Sequence, residues 1–262
     1  MGVQGAGSSA YGTESLQGAS QLARAVAGSD RSPLQLLRAL PHLPATVRFV
    51  RSLPVVDVRL SSHRQGQAIR HHLGRRTLGL PAGRLGAAVL QLPPTLPEYL
   101  RGKRRQALRT NVSRARELGV TVRRLDDEPE RRHALTEVFA SRGTREPGRL
   151  AAVVEHALGR SDEVHAAFVA DGRCLAFAGA AFDVEWTHVT QFYAVRDDEA
   201  APYARYLLHL HLVEGCLSRG VRAMCFESAL TISPGLQHLQ RLLGFEPVRL
   251  RLLDEAPQTR QP

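Results

Sequence analysis

The chain contains 262 residues, 43% of them hydrophobic, and carries a formal net charge of +10. This length suits one large domain or two small ones, and the apolar content is ordinary for a globular protein. No run approaches the roughly 20 apolar residues that cross a bilayer, and no basic segment followed by an apolar run is present at the start. We therefore expect a cytoplasmic protein with neither a membrane span nor a signal peptide.

The positive charge is almost entirely arginine, since Lys103 is the only lysine. Together with much alanine, glycine and leucine, this is typical of a GC-rich bacterial coding sequence. The charge also favours acidic partners such as phosphates or nucleic acid. The cysteines, Cys174, Cys216 and Cys225, have neither disulfide-framework nor metal-site spacing, so each is predicted to be a small buried side chain.

In chain order, residues 1–30 are rich in Gly, Ser, Ala and Gln and are expected to be disordered. Residues 31–96 contain apolar pieces separated by prolines and are predicted to form a partial N-terminal subdomain. Within them, the alternation over Val55–Leu60 indicates a strand. Residues 97–118 predict one basic helix with an apolar stripe.

Residues 120–253 predict a strand, two helices, three antiparallel strands, then helix, strand, helix and strand. The two helices are expected over Arg131–Ala140 and Arg149–Leu158. Asp171-Gly172 indicates a hairpin between strands Val164–Ala170 and Arg173–Asp183. In the third strand, simple alternation places His188, Thr190, Phe192 and Ala194 on one face.

The segment 187–250 predicts an anion site. A strand over Thr187–Val195 leads into an amphipathic helix from about Pro202 to Arg219, and a short strand, Val221–Phe226, follows. A second helix ending at Leu243 and a last strand, Phe245–Leu253, complete the segment. The first N–H groups and the dipole of a helix that follows a strand both point at whatever lies beyond that strand, which suits a phosphorylated ligand.

Three segments of the sequence resemble the GNAT superfamily of N-acyltransferases, in particular its Fem-like and cellulose-cluster branch. They are the basic stretch Tyr99–Leu118 with Gly119–Val122, the helix Ala201–Gly215, and the run Phe226-Glu-Ser-Ala229, Gly235-Leu236 and Leu242–Pro247. The resemblance covers roughly residues 97–250. It implies an α/β (α+β) fold with a mixed, mostly antiparallel splayed sheet flanked by helices. The GNAT-like core is then 97–253, residues 31–96 contribute to the acceptor side, and 254–262 form a flexible tail.

What the resemblance implies is an acyl-CoA-dependent N-acyltransferase, with acetyl-CoA or another acyl-CoA as cosubstrate and a primary amine that attacks the thioester directly. The implied CoA-binding residues lie at the end of the strand and the start of the helix. They are Phe192, Tyr193, Ala194, Val195, Arg196, Ala201, Tyr203, Ala204, Arg205 and Tyr206. The superfamily's phosphate-loop pattern is Gln or Arg, two residues, Gly, one residue, and then Gly or Ala. The aligned run here is Arg196–Ala201, and Glu199 stands where the pattern has Gly. This departure predicts either weaker CoA binding or a shifted loop over Ala201–Arg205.

The resemblance also implies where catalysis takes place. One backbone N–H, from Tyr193, Ala194 or Val195, is expected to face the thioester oxygen as it gains negative charge. The amine must lose a proton, and Glu227, Glu185 and His188 are the candidate bases. Tyr193 and Tyr203 are candidate acids for the departing thiolate.

Two other hypotheses stay open. The basic helix favours a Fem-like transferase that takes its acyl group from aminoacyl-tRNA. A non-catalytic GNAT-like interaction protein is the third interpretation, because Glu199 departs from the phosphate-loop pattern. No metal site is predicted, since His63, His71 and His72 do not combine with Cys or carboxylates at metal spacing.

Overall fold

The computed structural model describes residue 41 and residues 43–74, 76–77, 80–144, 146–159, 161–226 and 234–253. The segment 1–30, the tail 254–262 and the candidate base Glu227 lie outside this part of the chain. The elements of the first half are α1 (Leu43–Ser52), β1 (Val55–Val58), α2 (Arg64–Gly74), β2 (Arg76–Thr77), β3 (Leu80–Pro81), α3 (Ala82–Leu85), β4 (Ala87–Gln91), α4 (Leu96–Tyr99) and α5 (Gln106–Glu117).

The second half follows the predicted order. Its elements are β5 (Thr121–Leu125), α6 (Glu128–Ser141), α7 (Pro147–Leu158), β6 (Glu163–Phe168), β7 (Cys174–Phe182), β8 (Trp186–Ala194), α8 (Ala201–Ser218), β9 (Ala223–Phe226), α9 (Pro234–Leu243) and β10 (Glu246–Leu252). The hairpin at Asp171-Gly172 is present, with Gly172 at φ 88° and the Asp171 carboxylate accepting from Arg173 N at 3.0 Å. Within the described ranges, no helix has both the length and the apolar character needed to cross a membrane.

One eight-stranded sheet joins the two halves, in the order β1-β10-β4-β9-β8-β7-β6-β5. The pairs β1–β10 and β8–β9 are parallel and the others are antiparallel. The mixed, mostly antiparallel sheet confirms the predicted fold class. Strands β1 and β4, from the stretch 31–96, extend this same sheet.

The parallel pair β8–β9 separates part-way along β8. Pairing runs from Trp186 opposite Ala223 to Val189 opposite Phe226, whereas β8 itself continues to Ala194. In the described part of the chain no strand pairs with the β9 side of residues 190–194. We call this stretch, Thr190–Ala194, the open edge. It is the splay that the sequence predicts.

Helices cover both faces of the sheet. On one face, α5 and α8 form a core with the strands, in which Leu108, Leu208 and Leu212 are fully buried. The opposite face carries two separate clusters, one around α6 and α7 with Phe177 of β7, and one around α2 with Ala181 of β7. Residues 177, 179 and 181 of β7 point to that same face, so Gly179 lies between the two clusters.

The single basic helix predicted over 97–118 is wrong. The chain instead forms α4, a short 3-10 turn over Lys103–Arg105, and α5. The break occurs at Gly102, whose φ of 87° is incompatible with a right-handed helix. The Arg109 side chain donates to the carbonyls of Leu100 and Gly102, which fixes this corner.

The cysteines are all free and buried, which confirms their predicted character. His209 and His211 of α8 face different ways, because residues two apart on a helix project to different faces. His209 Nε2 lies 2.7 Å from Tyr99 Oη, and His211 Nε2 lies 3.2 Å from His165 Nδ1. Complete burial, assisted by the charge of Arg105, lowers the pKa of His209 to about 3, so this imidazole is neutral and structural.

Candidate active site

A β-bulge in β8 marks the point where the sheet opens. Gly179 of β7 lies opposite Gln191, and the next residue, Ala180, lies opposite Val189, so Thr190 is skipped. A bulge places one extra residue in a strand and shifts its alternation. The prediction that His188, Thr190, Phe192 and Ala194 share one face is therefore wrong, because the alternation changes phase at Thr190.

Polar contacts on the face of α7 hold the bulge. Ser161 Oγ lies 3.0 Å from Thr190 Oγ1, and Gln191 Nε2 donates to Ser161 Oγ at 3.3 Å and to Ala157 O at 2.7 Å. Thr190 and Gln191 are both buried. Gly179 is required here, since a Cβ at this position would overlap Ser161 Oγ. Together these contacts tie the end of α7 to the vertex of the splay.

The phase of β8 decides which backbone groups face the opening. Val195 N donates to Leu175 O of β7 at 2.9 Å. Successive residues of a strand point their N–H groups to alternate sides, so the N–H of Tyr193 also points to β7. Those of Phe192 and Ala194 then point to the open edge. Of the three predicted backbone donors, Ala194 is the one aimed at the opening.

The N-terminus of α8 is already capped by the chain itself. Asp198 Oδ1 accepts from Ala200 N at 2.8 Å, and Asp198 O accepts from Ala201 N at 3.3 Å. Pro202 has no N–H, and the carboxylate of Asp198 is paired with Arg173 at 2.9 Å. The first-turn amides that the sequence assigns to an anion are therefore engaged, which differs from the predicted helix-terminus site.

Three arginines gather at the same place. Arg142, in the turn after α6, donates to Ala194 O at 3.1 Å, and its guanidinium lies 5.3 Å from the centre of the Tyr193 ring. Burial, and then the positive charges of Arg196 and Arg205, lower the pKa of Arg142, while Tyr193 acts in the opposite direction. Arg205 Nε is buried without a hydrogen-bond partner.

Within the described ranges, none of these three guanidinium groups forms an ion pair with a carboxylate. We call them the arginine cluster. Like charges this close repel one another, so the cluster has unused capacity for an anion.

The other predicted residues are spread along β8 and α8. Glu185 precedes β8, roughly 23 Å from Phe192 at about 3.3 Å per residue, and its side chain is half exposed near Arg222. His188 is buried, with its ring 4.3 Å from that of His72 in α2. The Tyr193 ring contacts those of Phe139 and Phe177.

Several predicted CoA-binding side chains do not face solvent. Ala201 and Ala204 are buried in the core beneath α8, whereas Tyr203 and Tyr206 are half-buried and Arg196 is exposed. Burial raises the pKa of Tyr206, against the opposing charge of Arg205. Tyr203 lines a depression between α8 and the basic face of α5.

Sequence reasoning did not identify Arg142, Ser161 or Gln191. The signal available for the bulge was Gly179, an isolated glycine inside an apolar strand, which indicates a bulge or a close approach. No comparable signal marks Arg142, because its role depends on where the turn between α6 and α7 packs.

No protein-family model and no curated protein matches the chain. Among solved structures it resembles FemX, over 64% of this chain and 60% of that chain, with 11% identity and a TM-score of 0.47. It resembles L-PGS from Bacillus licheniformis over 58% of this chain and 48% of that chain, with 14% identity and a TM-score of 0.41. It also resembles a tandem GNAT protein from the clavulanic acid biosynthesis pathway, over 62% of this chain and 50% of that chain, with 16% identity and a TM-score of 0.38. This chain thus spans about half to three-fifths of the length of these structures.

The strand order and the open edge show the mixed, mostly antiparallel splayed sheet that the sequence predicts, whereas membership of the GNAT superfamily stays a prediction. The Fem-like and cellulose-cluster branch stays a prediction.

Proposed function

We propose that this protein is an N-acyltransferase that moves an acyl group, to be tested first as acetyl, from a CoA thioester to a primary amine. The observation that carries the proposal is the open edge ending at the arginine cluster. Backbone donors from Phe192 and Ala194 face the opening, and Arg142, Arg196 and Arg205 lie at its end. A thioester arm with a phosphate group at its far end suits this arrangement.

The fit to CoA is uneven, and the side chains decide it. The first turn of α8 offers few free amides, because Asp198 and Pro202 remove them. Guanidinium groups bind phosphate oxygens strongly and with bidentate geometry, so the arginine cluster would hold the pyrophosphate in their place. Glu199 is exposed, and its side chain can turn to solvent. In this proposal the phosphate is held by side chains rather than by the helix terminus.

The reaction needs little beyond positioning. The amine nitrogen attacks the thioester carbon, the N–C bond forms, and the C–S bond breaks as the thiolate leaves. The N–H of Ala194 would stabilise the negative oxygen of the tetrahedral intermediate. The amine gives one proton to a base, and the thiolate takes one from an acid or from water.

Among the predicted bases in the described part of the chain, His188 is the better placed. It lies two residues before the bulge and contacts α2, on the face opposite α8, from which the amine would approach. Glu185 is too distant by the strand geometry given above. Tyr193, with its ring beside Arg142, is the proposed acid.

A second donor is favoured by one specific observation. Six basic side chains on and before α5 are exposed: Arg101, Lys103, Arg104, Arg109, Arg114 and Arg116. This face reaches the depression lined by Tyr203 at the start of α8. Such a surface suits the backbone of a nucleic acid, so aminoacyl-tRNA is the alternative acyl donor.

Isothermal titration of the full chain with acetyl-CoA tests the proposal. We expect binding that CoA itself competes for, followed by release of CoA thiol when primary amines are added. No heat at millimolar acetyl-CoA would contradict it. If the chain instead retains bulk tRNA in a salt-dependent manner, the second donor is supported, and if it binds neither, the protein is a non-catalytic member of the fold.

A further inference from the structure

A polar cavity of about 500 Å³ lies at the rim of the sheet, where β5 and β7 end and β6 begins. Its walls also include the start of α2, the first half of α6 and the C-terminal end of α8. We call it the rim cavity. Among its lining residues are Gln65, Arg124, Arg131, Asp162, Phe182 and Arg219. This volume is within the usual range for a small-molecule site, roughly 300–1,000 Å³.

Most charges of the rim cavity are already paired. Glu163 contacts Arg219 at 3.1 Å and Arg124 at 3.7 Å. The Asp183 carboxylate accepts from both the N–H and the hydroxyl of Ser61. The guanidinium carbon of Arg219 lies over the Phe182 ring, 3.9 Å from its centre. These contacts fix the walls and leave those groups with little capacity for a ligand.

Two groups of opposite sign are left over. Asp162 Oδ2 is shielded from solvent and has no hydrogen-bond partner. A buried carboxylate oxygen without a donor costs free energy, so it requires one. Arg131 Nε donates to Leu125 O at 2.7 Å, which orients the guanidinium, and no carboxylate in the described ranges pairs with it. One negative and one positive group therefore face the same cavity.

One wall of the rim cavity is connected through the backbone to the bulge in β8. Asp162 directly follows Ser161, whose hydroxyl lies 3.0 Å from Thr190 Oγ1 at the bulge. Consecutive Cα atoms are about 3.8 Å apart, so the Asp162 backbone lies one residue from this contact with the bulge. Ser161 also reaches this point from the face opposite α8, the side assigned above to the amine.

We propose that the rim cavity is the acceptor site and that the acceptor is a zwitterionic primary amine of the α-amino acid class. Its ammonium group donates to the Asp162 carboxylate, which lines the cavity, and its own carboxylate accepts from the guanidinium of Arg131. This assignment rests on the proposed function for its role as acceptor site, but the binding itself does not require acetyl-CoA.

Binding is tested on the full chain with the proteinogenic α-amino acids, each titrated by calorimetry, beside methylammonium and acetate as half-ligands. We expect at least one amino acid to bind, and neither half-ligand to bind at the same concentration. Asp162→Asn and Arg131→Gln should each weaken that binding tenfold or more. Arg132→Gln is the matched control, because Arg132 pairs with Glu128 at 2.8 Å and does not line the cavity.

The outcomes separate this proposal from the proposed function. If no amino acid binds, or if Asp162→Asn with an unchanged circular dichroism spectrum binds as tightly as the wild type, the acceptor site is overturned even when acetyl-CoA binds. If an amino acid binds with the expected dependence on Asp162 and Arg131 while acetyl-CoA does not, the cavity stands as an amino acid site and the proposed function fails.

Discussion

The arginines around the two ends of α8 are in opposite electrostatic situations. At the N-terminal end, Arg142, Arg196 and Arg205 lie together with no carboxylate partner in the described ranges. At the C-terminal end, Arg219 is bonded to Glu163 and stacked on Phe182. A guanidinium group that is paired with a carboxylate stabilises the fold. Guanidinium groups that repel one another need an anion from outside the protein to offset their charge. The difference indicates where in the molecule a ligand's charge is needed.

Removing one arginine at each end of α8 tests this difference most directly. Arg205→Ala should weaken acetyl-CoA binding by about 1.5–3 kcal/mol, the value of a hydrogen bond to a charged group, which is roughly a tenfold to hundredfold rise in Kd. Arg142→Ala should act in the same direction. Calorimetry with acetyl-CoA measures both. Arg219→Ala is the control at the other end, and an equal loss of affinity there would contradict the assignment.

The next largest effect is expected from a substitution at Gly179, opposite the bulge that sets the register of the open edge. Gly179→Ala should destabilise the fold by about 1–3 kcal/mol, because its methyl group overlaps Ser161 Oγ. Urea unfolding measures the loss. Adding Ser161→Gly removes the overlapping atom and should recover most of the stability. If the double variant is no more stable than Gly179→Ala, the close approach at the bulge is not the cause.

A smaller effect is expected at the cap of α8. Asp198→Asn keeps an acceptor for Ala200 N but removes a negative charge beside the arginine cluster. Acetyl-CoA affinity should rise about twofold to fivefold, since a charge at a helix terminus contributes about 0.3–1 kcal/mol. Asp171→Asn is the matched control, because Asp171 also bonds Arg173 but lies in the hairpin. An equal gain in both variants would point to Arg173 instead.

The paired end predicts a dependence of stability on pH. Burial acts to raise the pKa of Glu163, but the His165 ring at 3.3 Å, the hydrogen bond from Arg219 and the charges of both outweigh it, and the pKa falls to about 2 from an ordinary 4.5. The unfolded chain therefore binds more protons between these values, so the stabilisation is complete above about pH 4.5 and is lost as the pH falls towards 2. In Glu163→Gln, the midpoint of thermal unfolding should depend less on pH over that window than in the wild type. An unchanged dependence on pH would contradict the pairing of Glu163.

The sequence predicted the fold through local signals that the tertiary structure leaves intact. Asp171-Gly172 requires a tight turn, and the apolar period of residues 202–219 requires a helix wherever they pack. The break at Gly102 was missed, because a glycine inside a basic, periodic stretch gives the same pattern whether the helix continues or stops.

The site was harder to predict for a different reason. Arg196 and Arg205 were identified because they flank α8 in sequence, whereas Arg142 reaches the same place from the turn after α6. The carboxylate of Asp198, which caps α8, is also held by Arg173 from the distant hairpin. Such contacts between distant segments leave no periodic trace in the sequence.

The open edge has a further consequence for how the chain behaves in a crowded solution. An unpaired strand edge is a template on which another chain can add a strand, and charged side chains are a common means of preventing this. Arg142 covers the carbonyl of Ala194 at the end of that edge, and Arg196 and Arg205 add charge beside it. The cluster would then act as an aggregation gatekeeper as well as an anion receptor. Losing its charge would then favour self-association of the chain as well as weaken anion binding.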